Sequence, residues 1–264
     1  LYQRETSIFV FLVAALVLGL AVMLVGCSDQ EPPKAQAGQV ASQATQNDNS
    51  GLMLLFQDQE TDIDPYVTRM LISDRFVRMD DGADSSDFLL FDRKENTVYS
   101  VAHSTHSILV IHGKPVTVKS PIPLKLDMRK KKELNAPAIG GKEPEHYTFL
   151  VNGKSCKDMI VVPGLLDSGL AALREFRLVM AGQHAENLPK TPVDMLDPCF
   201  LAHHIFSPVR DLKYGFPVQE WDSQGTSRSL MDYDQHFKID PKLFELPDGY
   251  RRDTVGPSGV ATDA

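Results

Sequence analysis

The chain has 264 residues, with 27 Lys+Arg against 35 Asp+Glu, giving a net charge of −8. That balance argues against a nucleic-acid binder, which needs excess positive charge to displace phosphate counterions. Hydrophobic residues at 42% suffice for a packed core, while three cysteines are too few for a disulfide-dense mini-protein.

Ile8 to Gly26 is an unbroken apolar run that ends in Leu24-Val25-Gly26-Cys27. This tetrapeptide resembles the bacterial lipobox, in which the Cys thiol receives a diacylglyceryl group and the signal is cut before it. The resemblance implies a signal peptide over 1–26 and a lipidated Cys27. The run also approaches the ~20 residues of a transmembrane anchor, the alternative reading. Residues 28–50 hold no aromatic residue and no Leu, Ile or Met. Such a segment cannot bury enough surface to offset its ordering entropy, so 27–50 reads as a lipidated Cys followed by a disordered tether. Ser28 follows the Cys, where an Asp would resemble the inner-membrane retention signal of enteric lipoproteins. The expected location is therefore the outer membrane, facing the periplasm, with the membrane itself as a partner through the lipid.

An oxidising periplasm pairs the two remaining cysteines, Cys156 and Cys199. Their loop of about 43 residues would stabilise by roughly 3–4 kcal/mol in the chain-entropy model. The alternative is two separate buried thiols.

From Gly51 the texture changes to short apolar runs. Strands are predicted over 52–56, 66–72, 75–79, 88–91, 97–101 and 108–111, with a polar turn, Asp92 to Asn96, between the fourth and fifth. Val116 to Val118 and Leu124 to Met128 read as weaker strands, broken by Pro121 and Pro123. Tyr147 to Val151 meets Asn152-Gly153, a strong hairpin signal, and Cys156 to Val162 is the return strand.

A helical insertion follows. Leu166, Leu170, Leu173, Phe176 (or Arg177) and Met180 recur at helical spacing, with Asp167 or Ser168 as cap and Gly182 as terminator. Asp197-Pro198 opens a second short helix to about Phe206, carrying Cys199 in its first turn. Strands resume at Leu212 to Val218, where Pro217 predicts an edge or a bulge, and at Thr226 to Phe237. Beyond Arg252 the chain is small and polar, so 253–264 is expected to fray as a disordered tail. About ten strands and two helices result. Their regular spacing predicts a mainly β (α+β) domain over 51–252, a single curved antiparallel sheet or barrel rather than alternating βαβ units.

Tyr214-Gly215-Phe216-Pro217-Val218 and the closing Leu243-Phe244-Glu245-Leu246-Pro247-Asp248-Gly249-Tyr250 resemble the end of an uncharacterised bacterial envelope lipoprotein family. Ser73 to Met79, and Phe91-Asp92-Arg93-Lys94 followed by Val98-Tyr99, resemble its early strands. That family is similar to the LolA- and LolB-like lipoprotein-carrier half-barrels. The resemblance covers much of 66–112 and 212–250. It implies an incomplete antiparallel barrel with two inserted helices packing on its concave face, over an apolar cavity. Leu170, Leu173, Phe176 and Met180 of the first helix, and Phe200, Leu201, Ile205 and Phe206 of the second, then form either a filled core or a lid over an acyl chain.

On a strand, His103 and His106, three apart, would point to opposite faces, an objection to a shared metal that weakens if the stretch is a loop, and adjacent His203 and His204 lack the zinc spacing i,i+4. No metal or cofactor is expected. No nucleophile elbow, P-loop or dinucleotide fingerprint occurs, so no catalytic residue is assigned. Arg129-Lys130-Lys131-Lys132 is the one basic block, either an edge-strand guard or a contact for anionic headgroups. The expectation is a lipid-anchored, non-enzymatic protein binding a lipid, an acyl chain or an apolar peptide segment. The alternative is an interaction lipoprotein with a filled core, its protein partner unknown.

Overall fold

The computed structural model describes residues 50–131 and 136–255, and the backbone of 261–263. The chain divides into two units, Leu1–Gln46 and Asn47–Ala264, and the described residues lie in the second. The expected signal peptide, Cys27 and the expected tether to residue 49 lie outside the described residues.

Six strands come first: β1 (Ser50–Gln59), β2 (Tyr66–Ile72), β3 (Phe76–Asp80), β4 (Phe88–Asp92), β5 (Thr97–Ala102) and β6 (Ser107–His112). They form an antiparallel meander. Three more follow: β7 (Leu126–Lys130), β8 (Glu145–Val151) and β9 (Lys154–Val162). The insertion holds α1 (Asp167–Asn187) and α2 (Pro198–Phe200), the latter running into a π-helical turn over Leu201–Phe206. Then come β10 (Phe216–Asp222), β11 (Ser227–Lys238), β12 (Arg251–Val255) and β13 (Ala261–Asp263). All thirteen described strands join one open sheet, ordered β13-β12-β6-β5-β4-β3-β2-β1-β11-β10-β9-β8-β7.

The turn chemistry explains the hairpins. Asn152 (φ 52°) and Gly153 (φ 82°) supply the paired left-handed residues of the tight β8–β9 turn. Asn152 also accepts the Lys125 N–H through Oδ1, tying the turn to the approach of β7. Gly215 lies at φ 145°, where a Cβ would press into the Val162–Pro163 backbone at 2.7–2.8 Å. Pro217, with no N–H for the ladder, sits at a bulge in the β9–β10 register, so β10 stays interior.

Strand alternation divides the core between two faces. Leu54, Phe56, Met70, Phe91 and Val98 face α1, packing with Ala172, Leu173 and Val179. Phe88, Leu90, Val101 and Ile108 lie on the other face, covered by Phe244, Leu246 and Tyr250 of the closing segment. Burying such a side chain contributes about 1.5–3 kcal/mol. Arg78, 2% exposed, fastens that cover: Nε donates to Asp80 at 2.6 Å, Nη1 donates to the Leu243 carbonyl at 2.8 Å, and the guanidinium lies over Phe88.

The structure corrects the sequence reading at five places. Val116 to Val118 is not a strand. Pro115 before it and Pro121 and Pro123 after it cannot extend a ladder on either side, and Val116, Val118 and Ile122 pack against Ala185, Leu188 and Ile205 instead. Leu212 and Tyr214 precede β10 rather than belonging to it. No side chain caps α1, whose entry is Leu166 in the left-handed region (φ 51°). Gly182 does not end α1: the helix continues to Asn187, and the glycine serves a close approach, since a Cβ there would collide with the Lys114 carbonyl that crosses it. Residues 253–255 do not fray, and the sheet is not wholly antiparallel. Arg251–Val255 runs parallel to β6, with the Asp253 side chain buried against it.

Candidate functional site

Helical spacing sets the site. Gly169 lets α1 approach the sheet, since a Cβ would lie 2.9 Å from Leu52 and 3.1 Å from Phe216. With that anchor, Leu173, Phe176, Arg177, Met180 and His184 recur at three- and four-residue steps along the stripe facing β1, β10 and β11. Between this stripe, the sheet and the second helix lies a cavity of about 520 Å³. Its sheet side presents Phe56, Met70, Met79, Lys157, Glu220 and Arg228.

The opposite wall is α2 with its π-helical turn. Asp197 caps α2 by accepting the Cys199 N–H at 3.0 Å, and a Cys156–Cys199 disulfide ties this wall to β9. Phe200 of α2 and His203 and His204 of the π-helical turn line the cavity; such turns recur at functional sites. Phe200 stacks on His204 (centroids 4.8 Å) and meets His184 of α1 edge-on (5.3 Å), while the two imidazoles lie 6.0 Å apart.

The cations on the wall are paired with carboxylates. Lys157 Nζ bonds Glu220 at 2.6 Å and Asp211 at 3.1 Å, and Arg177 donates to Asp211 at 3.0 Å and to Glu220 at 3.3 Å. Arg228 forks onto Asp58 at 2.6 and 2.9 Å, and Thr68 donates to that carboxylate as well. Burial alone would raise the Asp211 and Glu220 pKa values. Arg177 and Lys157 together overcome it, holding Asp211 far below the usual carboxylate range and Glu220 down at about 2. Burial pushes His184 and His204 down, and burial followed by Lys157 lowers His203 to about 3. The histidines are therefore neutral at pH 7.

Of the eight residues expected to line or cover a ligand, Leu173, Phe176, Met180 and Phe200 line the cavity. Leu170 packs into the main core. Leu201, Ile205 and Phe206 point away, into a separate cluster with Ala185 and Leu188. Sequence reasoning missed Asp58, Lys157, Asp211, Glu220 and Arg228. No local pattern could reveal them, because their partners are brought together only by strand pairing and helix docking.

The basic block lies on β7, the last strand at one side of the described sheet, and just beyond it. Arg129 is exposed, Lys130 bonds Glu145 at 2.7 Å, and Lys131 lies 3.4 Å from Asp158. Lys132, like Cys27, is outside the described residues. His103 and His106 flank Tyr250, whose hydroxyl is 2.8 Å from His103 Nδ1. No cluster of three or more His, Cys, Asp or Glu fit to hold a metal occurs among the described residues. No described helix is long and apolar enough to cross a membrane.

No protein-family model and no curated protein matches the chain. Among solved structures it is similar to PNGF-II in its C2 crystal form, at 12% identity and a TM-score of 0.37, over 77% of this chain and 30% of that one. The P21 form gives 8% identity and a TM-score of 0.36, over 78% and 31%. The chain thus spans less than a third of the length of either PNGF-II chain.

Proposed function

We propose that the protein is a non-enzymatic binding protein of the bacterial envelope that holds an apolar chain between its sheet and its inserted helices. In this reading, lipid on Cys27 holds it in the outer membrane facing the periplasm, and the open sheet with its docked helix is an incomplete barrel. Arg129 to Lys132 then contact anionic headgroups. The observation that carries the reading is the cavity of about 520 Å³, whose apolar lining includes Phe56, Met70, Met79, Leu173, Phe176 and Met180. Its size falls in the range of ligand sites, roughly 300–1,000 Å³. A space of this kind favours ligand binding over an interaction protein with a filled core.

The test is native mass spectrometry of the full chain, expressed with its own N-terminus in a Gram-negative host and extracted gently. The expected spectrum shows a chain that begins at an acylated Cys27 and carries a stoichiometric noncovalent lipid or acyl adduct. An unacylated, unprocessed N-terminus overturns the anchor. A clean apo mass, together with no uptake of an environment-sensitive alkyl dye, overturns the ligand site.

A further inference from the structure

Resting on the reading of the cavity as a ligand site, we propose that it selects an uncharged amphiphile, a chain with a hydroxyl, ester or amide head, over an anionic chain of the same length. The cations on the wall are already occupied. Lys157 and Arg177 share Asp211 and Glu220, and Arg228 is forked onto Asp58. Their side chains are only 16%, 21% and 33% exposed. An incoming carboxylate or phosphate would lie beside Glu220 and Asp58 with no unpaired cation to meet it, and burying a charge without a partner is costly.

The carboxylates reinforce this exclusion. Asp58 accepts from Thr68 as well as Arg228. Asp222, Asp197 and Glu60 also line the cavity, and their donors are neutral: the Gln224 and Thr226 N–H groups with the Thr226 hydroxyl, the Cys199 N–H, and the Tyr66 hydroxyl. Their negative charge is not cancelled and repels an anionic head. The other polar groups on the wall are uncharged. The imidazoles of His184 and His204, the Trp221 indole N–H and the hydroxyls of Ser223 and Ser227 line the cavity. None of them makes a side-chain hydrogen bond within the protein among the described residues. Neutral imidazole offers one donor and one acceptor, which suits a hydroxyl or carbonyl head above the Met70–Met79–Phe176 floor.

The test uses the full chain with isotope-labelled methionine methyls, held in nanodiscs of a zwitterionic phospholipid. Two probes of equal medium chain length are titrated: a monoacylglycerol and the fatty acid. Methyl shifts at Met70, Met79 and Met180 report cavity occupancy, and protein-free nanodiscs supply the partition correction. The monoacylglycerol is expected to bind about tenfold or more tightly than the fatty acid. Equal or tighter binding of the fatty acid overturns the selectivity and leaves ligand binding standing. No shift with any probe removes the ligand site and this inference with it. Glu220→Gln, which leaves Lys157 and Arg177 sharing the single carboxylate of Asp211 and so one positive charge in excess, should improve fatty-acid binding; Asp58→Asn makes the same test at Arg228 if the first variant does not fold. His184→Phe with His204→Phe keeps both rings and should weaken monoacylglycerol binding about five- to tenfold. Unchanged selectivity in these variants overturns the assignment of the polar partners.

Discussion

His203 couples the cavity wall to acid. Its Nε2 is buried without a hydrogen-bond partner among the described residues, and burial, then Lys157, holds its pKa at about 3 against an ordinary 6.5. The folded state therefore binds fewer protons than the unfolded state between these values. The stability this group contributes is complete above pH 6.5 and is lost as pH falls toward 3. Glu220 acts in the same direction lower down, from an ordinary 4.5 to about 2. His203→Phe should flatten the acid loss between pH 6.5 and 4.5 by about 2 kcal/mol, read from urea unfolding midpoints across that window. A wild-type slope in the variant would show that His203 is not the titrating group. At this scale the sequence displayed the residue but not its state. His203 and His204 are adjacent letters, yet His203 faces Phe149 while His204 stacks on Phe200.

Elements were legible where local chemistry decides them and obscure where a neighbour does. Asn152-Gly153 specifies its turn through its own backbone preferences, and Asp197-Pro198 specifies a cap. Gly182 carries the opposite lesson. In sequence it is a helix terminator; in the fold it is an interior residue of α1 beneath the Lys114 carbonyl. Gly182→Ala adds about 1 kcal/mol of helix propensity, yet the new Cβ must displace main chain rather than a flexible side chain. The expected net effect is destabilisation by about 1–3 kcal/mol, measured by chemical denaturation. A stabilised variant would mean that the 113–118 segment moves aside freely. The prolines around that segment also explain the failed strand at Val116 to Val118: its alternating apolar residues serve the ends of α1 and α2 instead of a ladder.

For the molecule as a whole, the C-terminal strand decides where the sheet stops. β12 covers the β6 edge over Ser107–Val110, and the preceding segment covers one face through Phe244, Leu246 and Tyr250. A chain ending at Tyr250 should keep that face covered while exposing the β6 edge. Concentration-dependent association is expected, measured by light scattering during size-exclusion chromatography. A strictly monomeric truncation would show that β12 is not needed as an edge guard. At the opposite side the exposed charges of β7 provide such a guard within the strand itself.

The sequence alone determined the strand and hairpin content, the helical insertion with its apolar stripe, and the pair of cysteines available to join. Each rests on periodicity, turn propensity or composition, which act over a few neighbouring residues. Only the tertiary structure decided that β12 runs parallel to β6, that half of the predicted lid points away from the cavity, and that the cations of the cavity wall are paired with carboxylates. Lys157, Arg177, Asp211 and Glu220 come from β9, α1, the loop before β10 and β10. Their ionisation depends on burial and on partners within about 3 Å, and separations that short are set by helix docking and strand register.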